Sequence, residues 1–574
     1  MREDASLCDC EVTKPVAEWN AFEEDRELVL EKLKEGFMDH LEVVSRVVET
    51  QFFHLFLGSG DLARLGATYP SPRKKEEVPL WLYLSSQITL RLHGSPGYSS
   101  LPYILHCGGL RDALEAGQVK RKEDQETGSH YLSFQGYNEK NTYDRSTPCD
   151  QDFVRKLARD TNPLELEAWY GKEVAPYFKD LGAYDPEGIF IVDGSYLFVP
   201  DNEHYEHSRV CYFDEHNHPI SKVEEQKLTP AEKKRCRWRR YYQMVSLSHT
   251  NRKEDYLLYT GATVLPGEGH EVLKLLPLVE NFVASVGLGV MKTLLVDRGF
   301  IDGKSIGKIK TDFSVDVAVP LKAKMQITED AWRLAEVDRK PWQVWEPPAK
   351  VPLPDPPQRP EWLRRAEKKR QKTVAQKKKD RGIKPPVHLV RVELKAIERM
   401  RLWEECPVPL DVVLMREHMS DGEILQWGLM TTKDGQDPLE IRELYKLRPS
   451  CEEGWRQNKC YWDLTGFRSC RFSLIVSQVI FVLMAYSLLQ VFLVKTERGD
   501  LAKATRQRLL AELLPDGEKV AVYWGNRVGY FSVREYSQIL LTLSEGARRR
   551  LLGTIRRLNK SHLEPPALPE RPTR

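Results

Sequence analysis

Tyr445, Arg448, Glu452 and Lys459 lie in the stretch LYKLRPSCEEGWRQNKCYWDL with the spacing Y-x2-R-x3-E-x6-K. A carboxylate flanked by two cations and a phenol can hold a hard metal ion beside a phosphate group. At about 100° per residue, the four side chains fall within roughly 60° of one another on an uninterrupted helix. Pro449 interrupts it, because proline lacks an N–H and disfavours helical backbone at the residue before it. The spacing therefore predicts a helix that starts at Pro449. Glu452 and Lys459 then share one face two turns apart, and Tyr445 and Arg448 approach that face from the preceding segment.

Two further carboxylates fit the same chemistry. Asp193 closes the apolar run IFIV and is followed by Gly194; Asp297 closes TLLV and is followed by Arg298-Gly299. Both are expected at the C-terminal ends of strands, where neighbouring strands bring side chains close. Alone, each reads equally well as an Asp that starts a turn. With Glu452 on a helix, they form a set of three carboxylates able to share two Mg²⁺ ions. Such a pair of ions clamps the attacking and leaving oxygens of an in-line phosphoryl displacement.

The elements around these residues change character along the chain. Residues 22–56 carry helical periodicity, PLWLYLSSQITLRLHG follows at 79–94, and residues 1–149 read as a small helical domain. Its role is packing or recognition of a DNA end. From 150 a polar helical stretch leads to strand-like runs at 188–199, 210–214, 241–249, 255–265, 292–300 and 314–322, with a helical segment between the last hairpin and KTLLVDRGF. That order predicts an α/β fold, a mixed sheet with helices against it. Residues 346–360 are Pro-rich, and residues 359–384 carry twelve Lys or Arg against three acids, a solvated segment or a contact for a phosphate backbone. Strand-like sequence returns from 387 to about 433, and residues 500–574 read as helical and basic.

The totals exclude little. A chain of 574 residues exceeds one core and predicts three or more domains or subdomains. A net charge of +2 neither demands nor excludes nucleic acid. The ten Cys include no CxxC pair, which fits free thiols in a reducing compartment. The N-terminal stretch has no apolar signal-peptide region. Residues 472–494 carry no charge and are long enough to span a bilayer, but Ser473, Ser477, Gln478, Ser487 and Gln490 favour a helix buried in a core. His204, His207, His216 and His218 surround Cys211 at spacings that fit no strong zinc pattern, so solvated loop histidines are the reading.

The Tyr445–Arg448–Glu452–Lys459 spacing resembles the YREK signature of DDE transposases of the large bacterial insertion-sequence group, the insertion-sequence family four type. IFIVDGSY and LLVDRGF resemble that group's first and second Asp motifs. The resemblance covers roughly 150–500. It implies an RNase H-like catalytic core at 150–325 and 436–505, interrupted by a mostly β insertion domain at 326–435; the helical regions at 1–149 and 506–574 are assigned by continuity with it. It implies Asp193, Asp297 and Glu452 as catalytic metal ligands for Mg²⁺, with Mn²⁺ as a substitute. Tyr445, Arg448 and Lys459 would contact DNA phosphates. Members of the group cut DNA at terminal inverted repeats and join the freed 3′-OH to target DNA, which implies double-stranded DNA as partner and a homodimer on paired ends. A DNA-associated cytoplasmic protein without a membrane segment follows. The alternative is a catalytically idle DNA-binding descendant of a transposase. Hairpin-forming relatives carry an acid four residues after the second Asp, where this chain has Ile301, so Asp302 receives no catalytic role. Trp403 and Trp427 are placed where some relatives receive a flipped base, with core packing as the expected role.

Overall fold

The computed structural model describes residues 22–558 except 45, 59, 76–77, 95–96, 108, 111–119, 124–129, 134–150, 216, 254–255, 267–268, 349–386, 402, 404 and 503–518. The basic run at 359–384 and His216 fall outside the described residues. The chain divides into two compact units, one formed by Met1–Lys292 with Leu447–Arg574, the other by Thr293–Lys446. Strands are numbered in chain order.

In the first unit, the two ends of the chain build a sheet together. Strand β1 (Glu23–Glu24) runs parallel to β16 (Arg527–Ser532), β16 pairs antiparallel with β15 (Lys519–Trp524), and β15 pairs antiparallel with β2 (His40–Val44). Alternation in KVAVYW sends Val520 and Val522 into one core with Val29, Leu33 and Phe531, and sends Ala521 and Tyr523 into another with Phe22 and Val528. Neither end is purely helical, contrary to the sequence expectation. The short run HLEVV sits between helices Arg26–Glu35 and Arg46–Gly58, and apolar spacing alone does not separate a five-residue strand from helix. Gly36 marks the break: it takes φ 88°, and a Cβ there would lie 2.4 Å from the Ala547 carbonyl oxygen. A further hairpin, β3 (Lys120–Glu123) with β4 (His130–Ser133), stands alone.

The main core of this unit surrounds helix Phe472–Lys495. That helix is long and apolar enough to cross a membrane, yet 89% of its most apolar stretch is buried. It packs with Phe52, Tyr83, Ile88, Tyr170 and Tyr259. Two of its polar residues bond to protein partners: the Ser487 hydroxyl accepts from the Tyr259 N–H at 2.9 Å, and the Gln478 amide donates to the Asp463 carbonyl at 2.7 Å. Such pairing is what allows polar groups inside a core. Each fully buried Leu, Val or Phe on the helix contributes about 1.5–3 kcal/mol.

Strand β5 (Ile189–Val199) pairs along its length with β7 (Arg237–Thr250), with Asp193 opposite Ser246. The other edge of β7 carries β6 (Arg209–Phe213) and then β8 (Leu257–Leu265). In the second unit, β9 (Thr293–Val296) runs parallel to β10 (Asp316–Pro320) across helix Gly303–Phe313. The order continues through β14 (Ile424–Thr431), β13 (Leu410–Met419), β12 (Leu389–Met400) and β11 (Gln343–Trp345), all antiparallel. Trp427 packs on the core formed by Val392, Leu394, Val413, Met415, Leu429 and Ile441, and Trp403 is half-buried.

Candidate active site

Helix Ser450–Tyr461 begins immediately after Pro449, as the missing N–H of proline requires. Its close approach to β8 depends on Gly454: a Cβ there would lie 2.4 Å from a Leu257 methyl carbon and 2.7 Å from the Tyr259 hydroxyl. Beside it, the Trp455 and Tyr259 rings pack with centroids 5.3 Å apart. The helix thereby presents Cys451 and Trp455, one turn apart on the same face, to β5. Glu452, about 100° further round, stays at the rim with its side chain 61% exposed.

Asp193 lies at the centre of this arrangement. It sits in the middle of β5 rather than at its end, because the alternating run GSYLFV after it continues the strand. The residue is only 5% exposed, so its charge needs donors, and it has three. Arg448 Nη2 donates to Oδ1 at 2.8 Å; on Oδ2, the Trp455 indole N–H donates at 2.9 Å and the Cys451 thiol at 3.2 Å. Burial, then the neighbouring Asp193 charge, pushes the Cys451 thiol well above its ordinary range, so the sulfur keeps its proton and donates. Arg448 turns its other nitrogen to Glu452, with Nη1 2.6 Å from Oε1. One guanidinium thus bridges the two carboxylates.

Lys459, two turns along the helix, donates to the Ser195 hydroxyl at 2.7 Å and to the Tyr196 carbonyl at 2.9 Å. Burial lowers its pKa to about 8, opposed by the Asp193 charge. It remains mostly protonated at neutral pH. Arg448, Glu452 and Lys459 therefore gather along β5 around Asp193. In the second unit, Asp297 follows β9 directly and caps a short 3-10 turn, accepting from the Arg298 N–H at 2.7 Å. Tyr445, at the end of helix Pro438–Tyr445, donates its hydroxyl to the Val296 carbonyl at 3.3 Å, beside Asp297. Asp302 caps helix Gly303–Phe313, accepting from the Ser305 N–H at 3.1 Å and from its hydroxyl.

Residues 185–488, more than half of the chain, match the family described as Transposase DDE domain. The chain belongs to this family. No curated protein matches it. The matched span holds all six residues read from the sequence, in order. Membership makes the transposase a polynucleotidyl transferase or nuclease in type, a DNA-binding protein of a family that generally uses divalent metal ions.

Asp193 and Glu452 carry hard carboxylate oxygens of the type a divalent ion takes, and the Arg448 guanidinium lies between them, bonded to both. Among the described residues, no three His, Cys, Asp or Glu side chains gather as a metal cage. At the histidine-rich segment, His218 Nδ1 lies 3.2 Å from Asp214, and His207 packs edge-on to Phe472. The sequence reading missed Cys451 and Trp455. Their one-turn spacing beside Glu452 was the available signal, but nothing in the sequence names Asp193 as their common acceptor.

Proposed function

We propose that the transposase belongs to the YREK group of the insertion-sequence family four type. In this reading it cleaves DNA at the terminal inverted repeats of its element and joins the 3′-OH ends to target DNA. The fold is read as an RNase H-like core with a β-rich insertion, and the working form as a homodimer on paired ends. Asp193, Asp297 and Glu452 would hold Mg²⁺, or Mn²⁺ in its place. Bound there, the ion supplies Lewis-acid stabilisation of charge on the attacking and leaving oxygens.

The observation that supports this reading most is the guanidinium of Arg448 shared between Asp193 and Glu452. It places one cation within hydrogen-bond distance of both carboxylates. Its planar fork suits a phosphate equally well, so a DNA strand entering beside Glu452 meets a cation already in place. Lys459 adds a second cation along β5; in the other unit, Tyr445 holds the backbone next to Asp297.

A plasmid carrying the gene with its native flanking DNA tests the reading. Incubated with the protein and Mg²⁺, it should be cut at the element's ends and yield joined products. Glu452→Gln should slow cleavage by about 10²- to 10³-fold, the scale of losing one preorganised charge at a reacting centre. Equal cleavage by this variant removes the catalytic reading. Binding to the ends without any cleavage by the unaltered protein identifies an idle DNA-binding descendant instead.

A further inference from the structure

We infer that Trp455 and Cys451 are positioning residues for Asp193, fixing one of its oxygens so that the other is presented to a metal ion. The inference rests on the catalytic reading of Asp193 given above.

The two oxygens of Asp193 have different neighbours. Oδ2 accepts from the Trp455 indole and the Cys451 thiol, both buried and both on the first turns of the same helix. Oδ1 accepts from Arg448, which also reaches the exposed Glu452. The inner oxygen is therefore held by uncharged donors anchored in the core, and the outer one by a cation shared with the rim. Two donors on one oxygen fix the plane of the carboxylate and the direction of its remaining lone pairs. A buried carboxylate without them could rotate, and a mispointed ligand weakens the ion it holds.

The packing shows that these donors are aimed. Trp455 lies against Tyr259, which also accepts from the Asn458 amide at 3.3 Å, so the indole plane is set from both the strand and the helix side. A phenylalanine keeps most of that packing but has no N–H. A serine at 451 keeps a donor, whereas an alanine has none. These differences separate hydrogen bonding from volume.

Two readouts on the full chain test the inference. The first is Mn²⁺ binding without DNA, followed by the electron paramagnetic resonance signal of the free ion. The second is the Mg²⁺ concentration for half-maximal cleavage of the plasmid with native flanks. Trp455→Phe should weaken Mn²⁺ binding by about 10- to 100-fold and raise the half-maximal Mg²⁺ in parallel. DNA-end binding without metal should not change. Cys451→Ala should have a smaller effect, about 3- to 10-fold for loss of a weak S–H donor, and Cys451→Ser should restore most of it.

Trp455→Phe with unaltered metal dependence in both readouts overturns the inference. If Trp455→Phe fails to fold, the pair at 451 decides: equal metal dependence in Cys451→Ala and Cys451→Ser overturns it. Asp193→Asn is the control for the underlying reading. Should that variant bind Mn²⁺ and cleave as well as the unaltered protein, the catalytic reading fails. Should it be inactive while the other variants behave as wild type, only the positioning role fails.

Discussion

Two places in the first unit put a cation between two carboxylates, and they differ in what closes them. At one, His93 points Nδ1 at Glu42 Oε1, 2.6 Å away, and Nε2 at Glu49 Oε2, 2.9 Å away. At the other, Arg448 joins Asp193 to Glu452. The His93 cluster is sealed. Glu49 also accepts from the Thr89 hydroxyl and the Gly109 N–H, each at 2.7 Å, and the His93 and Glu49 side chains are 2% and 3% exposed. The Arg448 cluster is sealed only on its Asp193 side. A closed cluster of this kind ties β2, helix Arg46–Gly58 and the end of helix Leu80–Leu92 together and offers nothing to a ligand. An open one holds charge ready at a surface. The same electrostatic motif serves stability in one place and, in the proposed catalytic reading, chemistry in the other, and exposure of the second carboxylate is what separates them.

The largest effect should come from opening the sealed cluster. His93→Ala leaves Glu42 and Glu49 facing each other without their shared cation. Breaking a buried pair in this way costs about 3–5 kcal/mol, read as a lower midpoint in urea unfolding. Cleavage per folded molecule should not change. The cluster also gives stability a pH profile. The neighbouring carboxylates outweigh burial and raise His93 from 6.5 to about 10. Its contribution is complete below the unfolded value of 6.5 and is lost as pH rises through about 10. Glu42 is held down to about 2 from 4.5 against its own burial by His93 and His40. Its contribution is complete above 4.5 and is lost as pH falls through about 2. Unfolding free energy should decline on the alkaline side, and His93→Gln should flatten that limb. An unchanged limb in the variant would assign the decline to other groups.

Arg448→Ala should cost less stability, because Asp193 keeps the Trp455 and Cys451 donors and Glu452 is in water. A loss of about 1–3 kcal/mol is expected for one hydrogen bond to a buried charge. The functional loss should be the larger one. Binding to the element's ends should weaken, and the slope of log affinity against log salt should shrink by about 0.9, one phosphate contact. Loss of stability with an unchanged salt slope would make Arg448 a structural cation, like His93.

The contrast also shows which parts of this molecule could be read from its residues. The Pro449 helix start and the strand order around Asp193 and Asp297 follow from local rules about proline and apolar runs. Asp193 was expected at a strand end, since a four-residue apolar run does not reveal that the partly polar sequence after it stays in the strand. The terminal sheet escaped because its partners lie about 500 residues apart in sequence, beyond what any local period carries. His93 escaped for the same reason: its two carboxylates come from separate elements, and an isolated His in an apolar helix gives no hint of them. Cys451 and Trp455 sat in view, but the acceptor that gives them meaning belongs to another strand.

Asp302→Ala should have the smallest effect and sharpens the comparison at the other acidic motif. Asp302 lies five residues after Asp297, and an acid so close to a proposed metal ligand invites a catalytic role. The structure gives its carboxylate to the first turn of helix Gly303–Phe313, through Ser305. A cap of this kind contributes about 1 kcal/mol, so the variant should lose about that much stability in urea unfolding. Cleavage and joining should proceed at wild-type rates, since the cap acts on the helix after β9 rather than on Asp297. Asp302→Asn, which keeps the accepting oxygen, should recover the stability. If Asp302→Ala instead slows cleavage while leaving the unfolding midpoint alone, the acid belongs with the catalytic residues and the cap is incidental.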